Sequence, residues 1–510
     1  MGILRSLAEN LPRLPDKSER SNVPLGQVLR SITAMQYFTF FVYWLAWTCD
    51  AIDFFAVSLG ASRLSKVFHK PLKTITTAIT LTLLFRPLGA IIFGLLGDRF
   101  GRKWPLIGCM LCCGTLSLGT AFTKNFGEFL AVRSLFGIAM GGVWGICAAG
   151  GLEMLPAEAR GLFSGILQQG YAVGYLLSAV INLTLVAKHD DWRILFFFGA
   201  AASAFAAGLR FCLPESAYFL ERRAAEKASG TAVSSAEKSK IFIREAGRVL
   251  KLHWPRCVFA LCLMSGFNFF SHGSQDVYPS LIKESKGLSA HSATLATIIG
   301  NCGAIAGGTI AGWGSQYLGR RLTIIACCLW SIAFIPLWYL PNSFGPLAAG
   351  AFCMQFGVQG AWGVIPVYLS EISPPAFRAV FPGLFYQLGN MVSSASAQIE
   401  TTAGANLKTA EGRPDYGKTG AILIGTVAGW IILCCLVGRE SHGAHFENAK
   451  AAFEQGAASE DVEELDDNAV ARNRYDAEKG FDNKAEEAHR EQASLSDADM
   501  KASTRTSSHY

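Results

Sequence analysis

The sequence predicts an all-α integral membrane protein of about twelve transmembrane helices, arranged as two six-helix halves. Composition, segment length and an internal repeat carry that expectation. Of 510 residues, 51% are hydrophobic and only 16% charged, and the mean hydropathy is +0.30, too apolar for a soluble enzyme of ordinary composition. A helix crossing a bilayer core needs about 20 predominantly apolar residues. Segments of that kind run over 36–59, 74–97, 105–122, 129–150, 162–187, 192–213, 256–279, 291–316, 321–341, 346–369, 378–400 and 418–438.

The repeat has an offset of 218 residues and needs no gap. Gly94 pairs with Gly312, Gly101 with Gly319, Arg102 with Arg320, Trp144 with Trp362, Glu153 with Glu371, Pro156 with Pro374 and Arg160 with Arg378. Two halves in parallel repeat place a substrate between them, near the bilayer midplane. The expected organisation is an N-terminal segment over 1–35, a first half over 36–213, a linker over 214–255, a second half over 256–438 and a tail over 439–510. The linker is basic, and an amphipathic helix around Lys240–Leu250 suits an anionic lipid surface.

Charge sets the orientation. The net charge is +6, yet the tail has 9 basic against 17 acidic residues, so the remaining body carries about +14, mostly in loops. Lys and Arg are about twice as frequent in the loops on the side of the chain ends, which predicts cytoplasmic termini. Arg63, Lys66, Lys70 and Lys73 run against this bias in the first outer loop. Arg133, near the outer end of the fourth span, could snorkel outward and is only a weaker candidate for binding a carboxylate. Residues 1–31 are polar, so the first span is expected to act as an uncleaved anchor. The 14 cysteines have no metal-ligand spacing, and neither a metal nor another cofactor is expected. No nucleotide-binding loop, catalytic triad or nucleic-acid motif is visible, so the chain is not expected to be an enzyme or to bind nucleic acid. The tail is too polar to bury a core; a link to ubiquitin and the endocytic machinery through Lys479 or Lys484 rests on composition alone.

The seventh span carries the densest polar chemistry. Asn268, His272 and Asp276 fall at i, i+4 and i+8 on one helical face, with Ser271 and Gln275 beside it. Lipid cannot satisfy such a stripe. It lines either a substrate or proton path or a hydrogen-bonded seam between helices. Arg86 sits at the centre of the second span, and its planar, permanently charged fork suits a carboxylate. That carboxylate is either a substrate's or an internal one, Asp50 or Asp53 of the first span. Gln387 and Asn390 lie one turn apart in the eleventh, as neutral partners for an anion. Histidine is the side chain that titrates nearest neutrality, at about pH 6.5 unperturbed. His272 with Asp276 is therefore the expected proton-coupling pair, and Asp50 or Asp53 the alternative.

The run Asn268, Ser271, His272, Ser274, Gln275, Asp276 resembles the N-x-x-[ST]-H-x-[ST]-Q-D-x-x-x-T pattern of the fungal lactate/pyruvate:proton symporters, a branch of the major facilitator superfamily. Ser280 stands where that family has Thr and keeps the hydroxyl. Gly94–Lys103 and Pro214–Leu220 resemble two further motifs of the superfamily. The resemblance covers about residues 36–439 and implies the major facilitator fold, a short monocarboxylate and a proton as cargo, and a fungal plasma membrane. It further implies substrate binding by a central arginine and by a Gln and Asn three apart, matched by Arg86, Gln387 and Asn390, with Asn268 and Ser271 beside them. Asp98, Arg102, Glu153, Arg160, Glu371 and Arg378 would form a cytoplasmic latch that holds an outward-open state, or else only fix topology. Two other functions stay open: a dicarboxylate carrier of the same fold, and a sensor that binds a carboxylate without moving it.

Overall fold

The computed structural model describes residues 24–215, 219–220, 235–374, 377 and 380–439, with 12 and 14; the tail beyond 439 and Arg378 lie outside the described residues. Twelve helical crossings follow one another. Ten of them are long and apolar enough by length and composition alone to cross a membrane. Phe344–Ile372 supplies the tenth crossing, and the eleventh is broken into two shorter helices, Val380–Ser393 and Ser396–Asn406.

Local chemistry sets the ends. The first span, Ala34–Phe68, starts at a capping box in which Thr33 and Gln36 satisfy each other's backbone amides, and ends where His69 turns left-handed. It runs nine residues beyond the expected end at 59. Arg63 and Lys66 are therefore helical rather than in a loop. Arg63 gains partners there: its Nε donates to Asp190 Oδ1 at 3.0 Å and its Nη1 to Asn182 Oδ1 at 3.1 Å. Asn182 opens a π-helical turn, Asn182–Val186, that extends the fifth span from Ala157–Ile181. The second span, Thr77–Phe100, and the eighth, Ala290–Leu318, each end on a glycine with positive φ, Gly101 at 90° and Gly319 at 85°. These glycines are repeat partners, so one backbone turn recurs in both halves.

The fourth span is Phe126–Gly141 followed by Val143–Glu153, broken at Gly142, where a Cβ would meet Phe93 at 2.4 Å. Above the break it packs on the second span so closely that a Cβ on Gly137 or Gly141 would strike the carbonyls of Thr82 or Arg86. The halves meet through similar backbone approaches. A Cβ on Gly165 of the fifth span would lie 2.4 Å from the Gly308 carbonyl of the eighth, and one on Gly145 3.1 Å from Gly383 of the eleventh. The Ser164 hydroxyl donates to Gly363 O at 2.9 Å and accepts from the Val367 amide at 3.1 Å, bridging the fifth and tenth spans. These contacts close the side that bears the linker. Toward the other side, Thr80 Oγ1 donates to Ser394 O at 3.1 Å, between the second and eleventh spans.

Candidate functional site

The seventh span, Trp254–Gln275, brings its expected polar face into the centre of the molecule. His272 Nδ1 lies 2.9 Å from Asp276 Oδ2, and its Nε2 lies 3.3 Å from Asn390 Oδ1 on the eleventh span. One imidazole therefore joins a carboxylate of its own helix to an amide of the next. Asn268 Nδ2 donates to Met264 O at 2.8 Å and to Tyr386 O at 3.4 Å. Ser271 accepts from Gln359 Nε2 at 3.4 Å. Gln275 and Ser274 instead bond Gln355 of the tenth span, which makes that edge of the stripe a seam between helices. His272 faces Phe54 of the first span, its repeat partner, at a ring separation of 6.0 Å.

Arg86 is 1% exposed, and its guanidinium lies 5.1 Å from the Phe54 ring centre. One Nη donates to the Met140 thioether, and Nε has no partner. Among the described residues no ion-pair contact joins Arg86 to a carboxylate, although Asp50 of the first span lies within its electrostatic reach. Asp50 is wholly buried with neither oxygen hydrogen-bonded. On the eleventh span Asn390 Nδ2 donates to Gln387 Oε1 at 3.0 Å, and Gln387 Nε2 to Gly141 O at 3.2 Å, so both amides are held toward the second and fourth spans. Tyr386 stacks on Trp144 at 4.4 Å and faces Arg86 and Asn390. Asp50, Arg86, Asn268, Ser271, His272, Gln387 and Asn390 are each no more than 5% exposed, so this form is closed from both sides.

Arg133 and Asp53 lie together, apart from this group. Arg133 does not snorkel; it is fully buried, with its guanidinium 4.0 Å from the Phe136 ring and Nη2 3.4 Å from the Asp53 carbonyl. It lies on the bundle side of the fourth span, where an outward path would cross packed helices. Asp53 does not join the central group. Its Oδ1 accepts from Ser117 Oγ of the third span, and it packs on Gly199 of the sixth, inside the first half. Of the two acidic alternatives only Asp50 is on the same turn of helix as Trp47, which reaches Tyr386.

Among the latch residues Arg102 pairs with Glu153, and Glu371 pairs with Arg320, the repeat partner of Arg102. Arg102 Nη2 reaches Glu153 Oε1 at 3.1 Å, and Arg320 binds Glu371 through two bonds of 2.9 and 3.0 Å. The partners are 51 residues apart in both halves. Arg160 Nε donates to Leu155 O at 3.2 Å. Asp98 is in the last turn of the second span. Sequence reasoning gave Glu215, noted within the Pro214–Leu220 motif, no role of its own, yet its side chain caps the third span by accepting from the Arg102 and Lys103 amides at 3.1 and 3.0 Å. That reasoning missed Tyr386 and the buried Glu400; the period of the eleventh span gave a signal for both.

The Major Facilitator Superfamily model matches residues 36–397. A carboxylic acid transporter protein homolog of Saccharomyces cerevisiae is 34% identical over 428 residues, 81% of this chain and 69% of that one. The cis,cis-muconate transport protein of Acinetobacter baylyi is 25% identical over 355 residues, 69% of this chain and 84% of its own. The niacin transporter NiaP of the same organism is 25% identical over 407 residues, 75% of this chain and 89% of its own. Among solved structures, the proton:xylose symporter XylE superposes with a TM-score of 0.63 at 19% identity, over 81% of this chain and 98% of that one, a likeness of fold.

Proposed function

From the premise that this chain belongs to the Major Facilitator Superfamily, and so is a membrane transporter and not an enzyme, we propose that it carries short monocarboxylates such as lactate and pyruvate with a proton. The observation that supports this most is Arg86. A buried guanidinium without a carboxylate partner costs several kcal/mol, and an anionic cargo would offset that cost. Its planar fork takes a carboxylate by two parallel bonds. The amides of Asn390 and Gln387 approach from the facing half. The cargoes named for the relatives (carboxylic acid, muconate and niacin) share a carboxyl group.

The cycle follows from charge. His272 takes a proton, an anion then binds between Arg86 and the His272–Asn390 pair, and the added charges cancel. The neutral load makes it cheaper for the halves to rock about the site, which opens it to the other side. The excess of Lys and Arg in loops on the linker side supports cytoplasmic termini, and the resemblance to fungal symporters supports a plasma-membrane location. A dicarboxylate carrier is the second reading. It is favoured by Arg133, a second buried guanidinium whose Nε and Nη1 have no partner.

Uptake of labelled lactate at about pH 5, in cells without their own carriers, tests the proposal. Saturable uptake that a protonophore abolishes and pyruvate blocks is expected; transport of succinate but not lactate would favour the second reading. His272→Ala is expected to flatten the pH dependence of uptake across roughly pH 5 to 8, where imidazole changes charge. An unchanged profile and undiminished accumulation would remove the histidine from the mechanism.

A further inference from the structure

Glu400 is a buried carboxylate that the proposed cycle leaves unused. It lies on Ser396–Asn406, the outer part of the eleventh span, and is 1% exposed. Its Oε1 accepts from Ser396 Oγ at 3.2 Å. Two glycines on two other helices make room for it: a Cβ on Gly273 would come to 3.5 Å from Oε1, and one on Gly420 to 3.7 Å from Oε2. Ionisable groups at such depth usually mark an ion or proton path.

Gly273 fixes where this carboxyl points. Asp276 is three residues farther along the same helix, hence on the same face, and interacts electrostatically with Glu400. Asp276 Oδ2 is bonded to His272 Nδ1, while Oδ1 has no partner and the side chain is 4% exposed. The titratable group that acts on Glu400 is Asp276 of the seventh span, and Tyr416, at the head of the twelfth, packs on Gly404 one turn farther out. The ninth span adds only the Trp338 ring, against Gly420. Gly404, one turn beyond Glu400, already accepts from the Asp415 amide of the outer loop at 2.9 Å. Glu400 thus lies between the face opposite the linker and the His272–Asp276 pair.

We propose that Glu400 is a proton relay that loads His272 from the outer side. A proton from the outer solution binds the Glu400 carboxylate and passes to Asp276 Oδ1. The Asp276 carboxyl then gives up one proton to His272. At the end both carboxylates are again ionised, the imidazole carries the charge, and one proton has entered. The relay rests on the proton-coupled reading above.

Glu400→Gln tests it, because glutamine keeps the shape and hydrogen bonding of a protonated carboxyl. In proteoliposomes the variant is expected to lose proton-driven lactate accumulation by roughly tenfold or more. It should keep lactate exchange at equal pH on both sides, and Glu400→Asp should recover part of the accumulation. Full accumulation in Glu400→Gln, or loss of exchange and accumulation together, would make Glu400 structural and overturn the relay. Infrared difference spectra between about pH 5 and 8, taken without substrate, separate this from a failure of the symport reading. A carboxyl band absent from Glu400→Gln supports proton exchange at Glu400 whatever the cargo, and superimposable spectra overturn it.

Discussion

At the scale of single residues, the site is defined by bonds that are not made. Arg86 donates to a thioether, lies over an aromatic ring and faces the Tyr386 side chain, none of them a charged partner for a buried cation. Asp50 and one oxygen of Asp276 have no donor. A protein in its resting fold rarely leaves such groups unpaired, unless a ligand or proton completes them. Arg86→Lys keeps the charge but removes the fork, and an exchange of this kind at a bidentate site is not conservative. A rise in KM for lactate of about tenfold, near 1.4 kcal/mol, is expected in concentration-dependent uptake, with surface expression unchanged. A KM equal to the parent's would mean that the carboxylate binds elsewhere. The sequence made Arg86, His272, Gln387 and Asn390 legible because each is polar where its neighbours are apolar. It left the place of Arg133 open because snorkelling depends on which face of the helix meets lipid, and that face is set by the neighbouring spans.

At the scale of elements, twelve crossings and their order were readable from hydropathy, whereas their ends were not. The first span outran its apolar stretch because Asp190 and Asn182, more than 100 residues away, stabilise Arg63. No local pattern encodes that. The glycines are a second case: spacing cannot tell a helix-weakening glycine from one that lets two backbones touch. Gly165 is of the second kind, since a Cβ there would meet the carbonyl of Gly308 and the backbone of Gly312. Gly165→Val is therefore expected to hold the fifth and eighth spans apart on the linker side. Protein should reach the surface yet carry lactate at less than about a tenth of the parental rate, because overpacking by 1–3 kcal/mol disfavours the closed form. A cysteine placed at Ser164 should at the same time react faster with a thiol reagent applied from the linker side. Normal uptake and an unreactive cysteine would show that closure tolerates the added volume.

At the scale of the whole molecule, the 218-residue repeat sets two copies of one clamp, and their differences predict different strengths. Both join the start of an odd-numbered span to the end of the next even-numbered one. In the first half a 3.1 Å contact joins side chains 12% and 25% exposed. In the second, two contacts join side chains 1% and 3% exposed. Partly solvated pairs contribute on the order of 0–1 kcal/mol, whereas removing one member of a buried pair leaves an uncompensated charge that costs about 3–5 kcal/mol. Arg320→Ala should accordingly lower the melting temperature of the purified transporter well below that of Arg102→Ala, as read by differential scanning fluorimetry in one detergent. Because the penalty comes from the stranded Glu371 and not from lost attraction, adding Glu371→Gln to Arg320→Ala should recover much of it. Equal melting temperatures for the two single variants would mean that water reaches Glu371 when its partner leaves, and the second half would then be softer at its linker side than its burial implies.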